Sequence, residues 1–180
     1  MRKLVLGFVI LAGAVVLGAA TGSAQTCTIN FEGGNCPNSG AVCNATFSGG
    51  LGCQTVGVGN CYQSGVASYR IASGAPLTIT FSTAVGAIEA FFAHQGGATA
   101  SMTFWDSVAG GSQVGSSLSD AGDCNLSKPA MVNRTFTTPI RRIEVALNGT
   151  GNAWIDDLTI TQATVPVYPS TWGLLKDRYR

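Results

Sequence analysis

The chain has 180 residues, 46% of them apolar and only 11% charged, with a formal net charge of +1. One domain is the natural expectation at this length. The weak charge excludes the basic patch of a nucleic-acid binder, and the apolar content excludes a disordered chain. The 24 glycines follow no triplet period, so a collagen-like rod is excluded as well.

Residues 1–24 read as a secretory signal peptide. Arg2 and Lys3 form a basic start, an apolar stretch runs from Leu4 to Ala20, and Gly22-Ser23-Ala24 offers a small-x-small cleavage site. Gln25 and Thr26 before Cys27 are too large and polar for a lipidation box. The expected location is secreted, extracellular or at the cell surface.

All six cysteines follow that segment: Cys27, Cys36, Cys43, Cys53, Cys61 and Cys124. An even number in an exported chain reads as disulfides, and the pairing stays open. Cys53 and Cys61 are one pair that would close a local loop. Five of the six crowd into a Gly-, Asn- and Ser-rich stretch. Residues 33–61 are expected to be a long loop insert, held covalently because it buries little apolar surface. Zinc is disfavoured, because there is no C-x-x-C pair and the single histidine is distant.

From Tyr69 onward the hydrophobic period is 2. Strands are expected at 77–81, 87–93, 100–106, 141–147 and 153–161, with weaker ones at 113–118 and 132–137. Leu77, Ile79 and Phe81 alternate with Thr78 and Thr80, and Ile143, Val145 and Leu147 with Arg142 and Glu144. Turn clusters such as Ser73-Gly74-Ala75-Pro76 and Asn148-Gly149-Thr150-Gly151-Asn152 separate them. Short strands at this spacing predict an all-β antiparallel β-sandwich or jelly roll, disulfide-stapled, over residues 25–161. The many Ser and Thr residues suit hydroxyl-rich outer faces.

Catalytic signals are weak. His94 is the only histidine, no G-x-S-x-G elbow occurs, and no spacing singles out a pair of carboxylates. No enzyme is expected, and a hydrolase is the remote alternative. A binding role needs exposed aromatics with polar neighbours, and the candidates are Trp105, Tyr62, Tyr69, Arg70 and His94. Alternation places Phe104 with Met102 inward and Trp105 outward. It places Trp154 in the core, on one face with Asp156, Leu158 and Ile160.

Thr28-Ile-Asn-Phe-Glu32 near the start and Asn152-Ala-Trp-Ile-Asp-Asp-Leu-Thr-Ile160 near the end carry a resemblance. Their layout resembles the galactose-binding-like jelly-roll domains of secreted bacterial proteins, and is similar to MAM domains. The resemblance implies that the first and last strands lie side by side. It also implies a structural calcium held where Glu32 meets Asp156 or Asp157. Hard oxygens suit calcium. The competing reading is that Asp156 and Asp157 sit at a strand entrance and hydrogen-bond loop amides.

After Thr161 the composition shifts. Residues 162–169 read as a Pro-containing linker, and 170–180 as an amphipathic tail with Trp172, Leu175 and Tyr179 on one stripe. Lys176, Arg178 and Arg180 make the tail basic and leave the body acidic. The tail resembles short C-terminal "TWG-x-x-K-x-x-Y/F-R" ends of exported bacterial proteins, which implies sorting or attachment machinery as a partner. The expected function is a non-catalytic binding or adhesion module for an extracellular polysaccharide or cell-surface polymer. A structural matrix or envelope protein is the alternative.

Overall fold

The structure, a computed structural model, describes residues 20–21, 23–33, 36–37, 42–55, 61–119, 122–124, 129–164 and 166–167. The apolar leader and the tail with Trp172, Leu175 and Tyr179 lie outside the described residues. Eleven strands are described, and among the described residues no helix is long and apolar enough to cross a membrane. In chain order they are β1 (Ala20–Thr21), β2 (Thr26–Ile29), β3 (Ala45–Gly49), β4 (Gly52–Thr55), β5 (Ala67–Ala72) and β6 (Leu77–Gln95). Then follow β7 (Thr99–Trp105), β8 (Leu118–Ser119), β9 (Ala130–Asn148), β10 (Asn152–Gln162) and β11 (Pro166–Val167). β1 pairs with β11 as a separate two-stranded unit.

The body is antiparallel and built on two long bent strands. Each of β6 and β9 fuses two of the expected short strands into 19 residues. Their ladder breaks between Thr80 and Val85 and again before Ala87. Buried positions on β6 change parity across the break, from Leu77, Ile79, Phe81 and Val85 to Ile88, Ala90 and Phe92. Strands that turn a corner through such irregularities pass from one layer of a sandwich to the other. The front layer therefore runs β3, the first half of β6, the second half of β9, β7 and β8. The back layer runs from the first half of β9 through the second half of β6 to β10. β10 is then flanked by β5 along its first half and by β2 along its second, with β4 beyond β5.

Backbone groups freed at the corner find other partners. Arg141 donates to the carbonyls of Phe81 and Ser82 at 3.0 and 3.1 Å, and the Ala163 amide donates to Ala84 at 2.9 Å. Pro139, which has no N–H to give, sits where the β9 ladder is interrupted.

One apolar core fills the space between the layers, with Phe31, Phe81, Phe92, Phe104, Ile143 and Ile155 fully buried. Phe47 of β3 meets Tyr69 of β5 at 5.4 Å between ring centroids, a contact from front layer to back. The 33–61 segment departs from expectation, because it is not loop throughout. Ala45–Gly49 and Gly52–Thr55 alternate as strands, and each extends one layer, β3 on β6 and β4 on β5. The short link between them needs Gly49 at φ +79, where a Cβ would run into the Pro76 carbonyl.

The disulfides are Cys27–Cys43, Cys36–Cys53 and Cys61–Cys124, so the local Cys53–Cys61 pair is not formed. The first ties β2 of the back layer to the residue two before β3 of the front. The β2–β10 pairing places the first and last strands of the body side by side, as the resemblance implied.

Candidate functional site

The carboxylates singled out in the sequence gather around one loop, residues 61–66. Asp156 is fully buried. Its Oδ2 accepts the amides of Gln63 and Ser64 at 2.7 and 3.0 Å, and its Oδ1 accepts the Asp157 amide at 2.9 Å. Ser64 Oγ donates to Asp157 Oδ1 at 2.8 Å. Glu32 Oε1 accepts the amides of Val66 and Ala67 at 2.9 and 2.7 Å. Gly65, at φ +57, leaves room for that carboxylate, which a Cβ would strike. Burial pushes the Asp156 carboxyl up to about 6, against the pull of the Ser64 and Gln63 amides.

These contacts match the loop-amide reading for Asp156, add Glu32 to it, and give Asp157 a loop hydroxyl instead. A calcium site needs several oxygens converging on one point. Here the oxygens are directed at N–H and O–H donors. Among the described residues no group of three or more His, Cys, Asp or Glu side chains is gathered as metal ligands. The cluster does not fit calcium.

A bulge explains why. Between Asp156 and Thr159 the β10–β6 register slips by one, and Asp157 adopts φ +44. The slip inverts the facing. Ala153 and Ile155 point into the main core before it, and Leu158 and Ile160 after it. Trp154 and Asp156 therefore do not share a face with Leu158 and Ile160. They lie on the outer side of the back layer, beneath the 61–66 loop. There Trp154 packs with Ala93, Cys61 and Cys124 in a second small cluster.

The expected ligand-binding residues are not brought together. Tyr69 is core, 3% exposed, with its hydroxyl donating to Gly49 at 2.9 Å and its phenol raised above the ordinary value by burial. That corrects its assignment as a surface aromatic. Trp105 is on the outer side of the front layer, as alternation predicts, but half-buried under Arg142, whose Cζ lies 4.8 Å from the ring centroid. Arg142 faces outward, as alternation places it, but it is covered. It is 7% exposed and donates to the carbonyls of Ser107 and Val108, because the 106–112 turn folds over it. Arg70 sits on the outer side of the back layer, tied to Asn152 and Gln54 at 2.8 Å each and lying over Trp154. His94 pairs with Ala153, whose side chain faces the core, so it looks to the opposite side from Arg70. Tyr62 is half-buried in the loop after Cys61.

The two outer faces share a pattern. Register aligns Ser48, Thr78, Glu144 and Thr103 across the front, and Thr28, Thr159, Glu89 and Asn133 across the back. Both are hydroxyl-rich, as expected. The front is filled by Trp105 and Arg142. The back is hollowed, because β6 places Gly86 and Ala87 between the taller Thr161 and Thr135. One hollow of about 260 Å³ has Glu89, Asn133, Arg134, Thr135, Thr159 and Thr161 in its lining. A neighbouring one of about 400 Å³ continues past Gly86 to Phe136, Pro139 and Thr164. The Thr28 and Thr159 hydroxyls meet at 2.8 Å, and those of Thr26 and Thr161 at 3.3 Å. This groove was missed at the sequence level. Its one visible sign is Glu89 breaking the otherwise apolar stretch AIEAFFA.

No protein-family profile and no curated protein matches the chain. Solved structures of similar shape include a cleaved adhesin domain of Lys-gingipain, at 12% identity and TM-score 0.49, covering 77% of this chain and 100% of that one. A family 29 carbohydrate-binding module matches at 18% identity and TM-score 0.44, over 77% of this chain and 93% of that one. A family two carbohydrate esterase from Cellvibrio japonicus matches at 16% and 0.43, over 81% of this chain but 36% of that one.

Proposed function

We propose that this chain is an extracellular, non-catalytic binding module that takes a polysaccharide or similar hydroxylated polymer along the outer groove of its back layer. The observation that carries the reading is the row Thr28, Thr159, Glu89 and Asn133 bordering the hollow over Ala87. Hydroxyl, carboxylate and amide groups at fixed strand spacing can each exchange a hydrogen bond with a sugar hydroxyl. The groove is open, which suits a polymer passing through better than a small molecule enclosed. Three disulfides support an oxidising compartment. Sorting through the basic tail remains part of the proposal.

The test is binding of the oxidised protein to an array of polysaccharides. Saturable binding is expected, weakened by N133A and by T159V without loss of the folded transition. A blank array would favour the structural reading, a matrix or envelope protein that assembles with itself.

A further inference from the structure

The polymer's charge can be read from how the chain spends its own. Three of the four described arginines lie away from the hollow, and the fourth, Arg134, lines it but has its guanidinium engaged elsewhere. Arg70 binds Asn152 and Gln54, and Arg141 binds the corner carbonyls of Phe81 and Ser82. Arg142 binds the carbonyls of Ser107 and Val108. Arg134, a neighbour of Asn133 in sequence, turns to the other side of β9, donating to the Ser116 carbonyl and lying over Phe104. No lysine lies among the described residues.

The matching carboxylates of the two faces then differ. On the front, Glu144 Oε1 lies 3.0 Å from Arg142 Nε, an ion pair. On the back, Glu89 is exposed at the edge of the hollow and has no hydrogen-bond or ion-pair partner among the described residues. Its neighbours across the strands, Thr159 and Asn133, are neutral. Among the described residues, the hollow thus presents the Glu89 carboxylate without a counter-ion, the Arg134 guanidinium being turned to Ser116 and Phe104. An anionic polymer would meet repulsion there, and a cation would complete the row.

We infer that the polymer bound in this groove carries amino groups, with Glu89 as the counter-ion to a protonated amine. This rests on the proposed polysaccharide-binding reading. Its chemical class is an amino-sugar polymer, and polyuronates are excluded.

The test compares retention of the oxidised full-length protein on partially deacetylated polyglucosamine, on its fully N-acetylated counterpart and on polygalacturonate, in one mildly acidic low-salt buffer. Binding to the deacetylated polymer should exceed that to the acetylated one by about two- to five-fold, the worth of an exposed ion pair, and fall with added salt. Polygalacturonate should not be retained. E89Q should remove the preference, bringing retention on the deacetylated polymer down to the level on the acetylated one. E144Q, on the opposite face, should keep the preference. Equal binding to both polyglucosamines, or a preference that survives E89Q, overturns the inference alone. Binding to none of the polysaccharides, wild type included, overturns the reading beneath it.

Discussion

Asp156 Oδ2 accepts the backbone amide of Gln63 at 2.7 Å, joining residues 93 positions apart in the chain. The same carboxylate takes two further amides, from Ser64 and Asp157, and its residue is fully buried. It clamps the 61–66 loop to the bulge of β10. Asp156→Ala leaves three amides without their acceptor. A buried donor left unsatisfied costs about 1–3 kcal/mol, so the variant should unfold at clearly lower urea concentration. An unchanged midpoint would mean that water replaces the carboxylate at no cost.

The clamp is pH-dependent in an unusual direction for a carboxylate. Its folded value of about 6 lies above the ordinary 3.8. Between those limits the folded protein holds a proton that the unfolded chain has released. Stability contributed by this group is therefore complete below about pH 4 and lost as pH rises to about 6. Urea midpoints at pH 4 and pH 7 should show the fall in wild type. The fall should be absent in Asp156→Ala. A slope that persists in the variant would belong to other groups.

Calcium gives a sharp comparison at the same cluster. Glu32 and Asp156 already accept five backbone amides between them. EDTA should leave the thermal midpoint where it is, and added calcium should not raise it. A midpoint that drops on chelation and recovers with calcium would restore the cation reading.

The sequence shows the fold through period-2 alternation, which is strong in LTITF and in Arg141–Leu147. The continuity of β6 and β9 does not show, because corner residues such as Ser82, Thr83 and Pro139 look like ordinary strand ends. The facing of Trp154 and Asp156 is hidden for a different reason. The bulge that inverts it places a non-glycine residue, Asp157, at positive φ, so no glycine marks the spot. Tyr69 was legible as an aromatic where the period-2 pattern begins, but neither its strand nor its place in the core was, since its partners Phe31 and Phe47 come from distant segments. The groove depends on which small residues end up between which threonines, and only register decides that.

Trp105 is the residue a sequence reader would mutate first. The structure uses it as a half-buried platform for Arg142, on the layer away from the groove. Trp105→Ala should lower stability by about 1–3 kcal/mol through lost packing and the lost cation–π contact. Polysaccharide binding should be unaffected at temperatures where the variant is folded. Loss of binding in a folded Trp105→Ala protein would move the site to the front face.

Cys61–Cys124 spans 63 positions and closes the longest covalent loop of the three disulfides. By loop-closure entropy, removing it by the double substitution to alanine should cost about 4 kcal/mol, against about 3 kcal/mol for Cys36–Cys53 with its 17-residue separation. The effect should also be coupled to Asp156. Cys61 precedes the clamped amides of Gln63 and Ser64 by only two and three residues, and the Cys61 carbonyl accepts Ser68 Oγ at 2.9 Å. Once the disulfide is gone, the loop has less order for Asp156 to preserve. A cycle combining Asp156→Ala with the disulfide deletion should therefore give a smaller loss than the two separate losses together. Strict additivity would show that disulfide and carboxylate hold the loop independently.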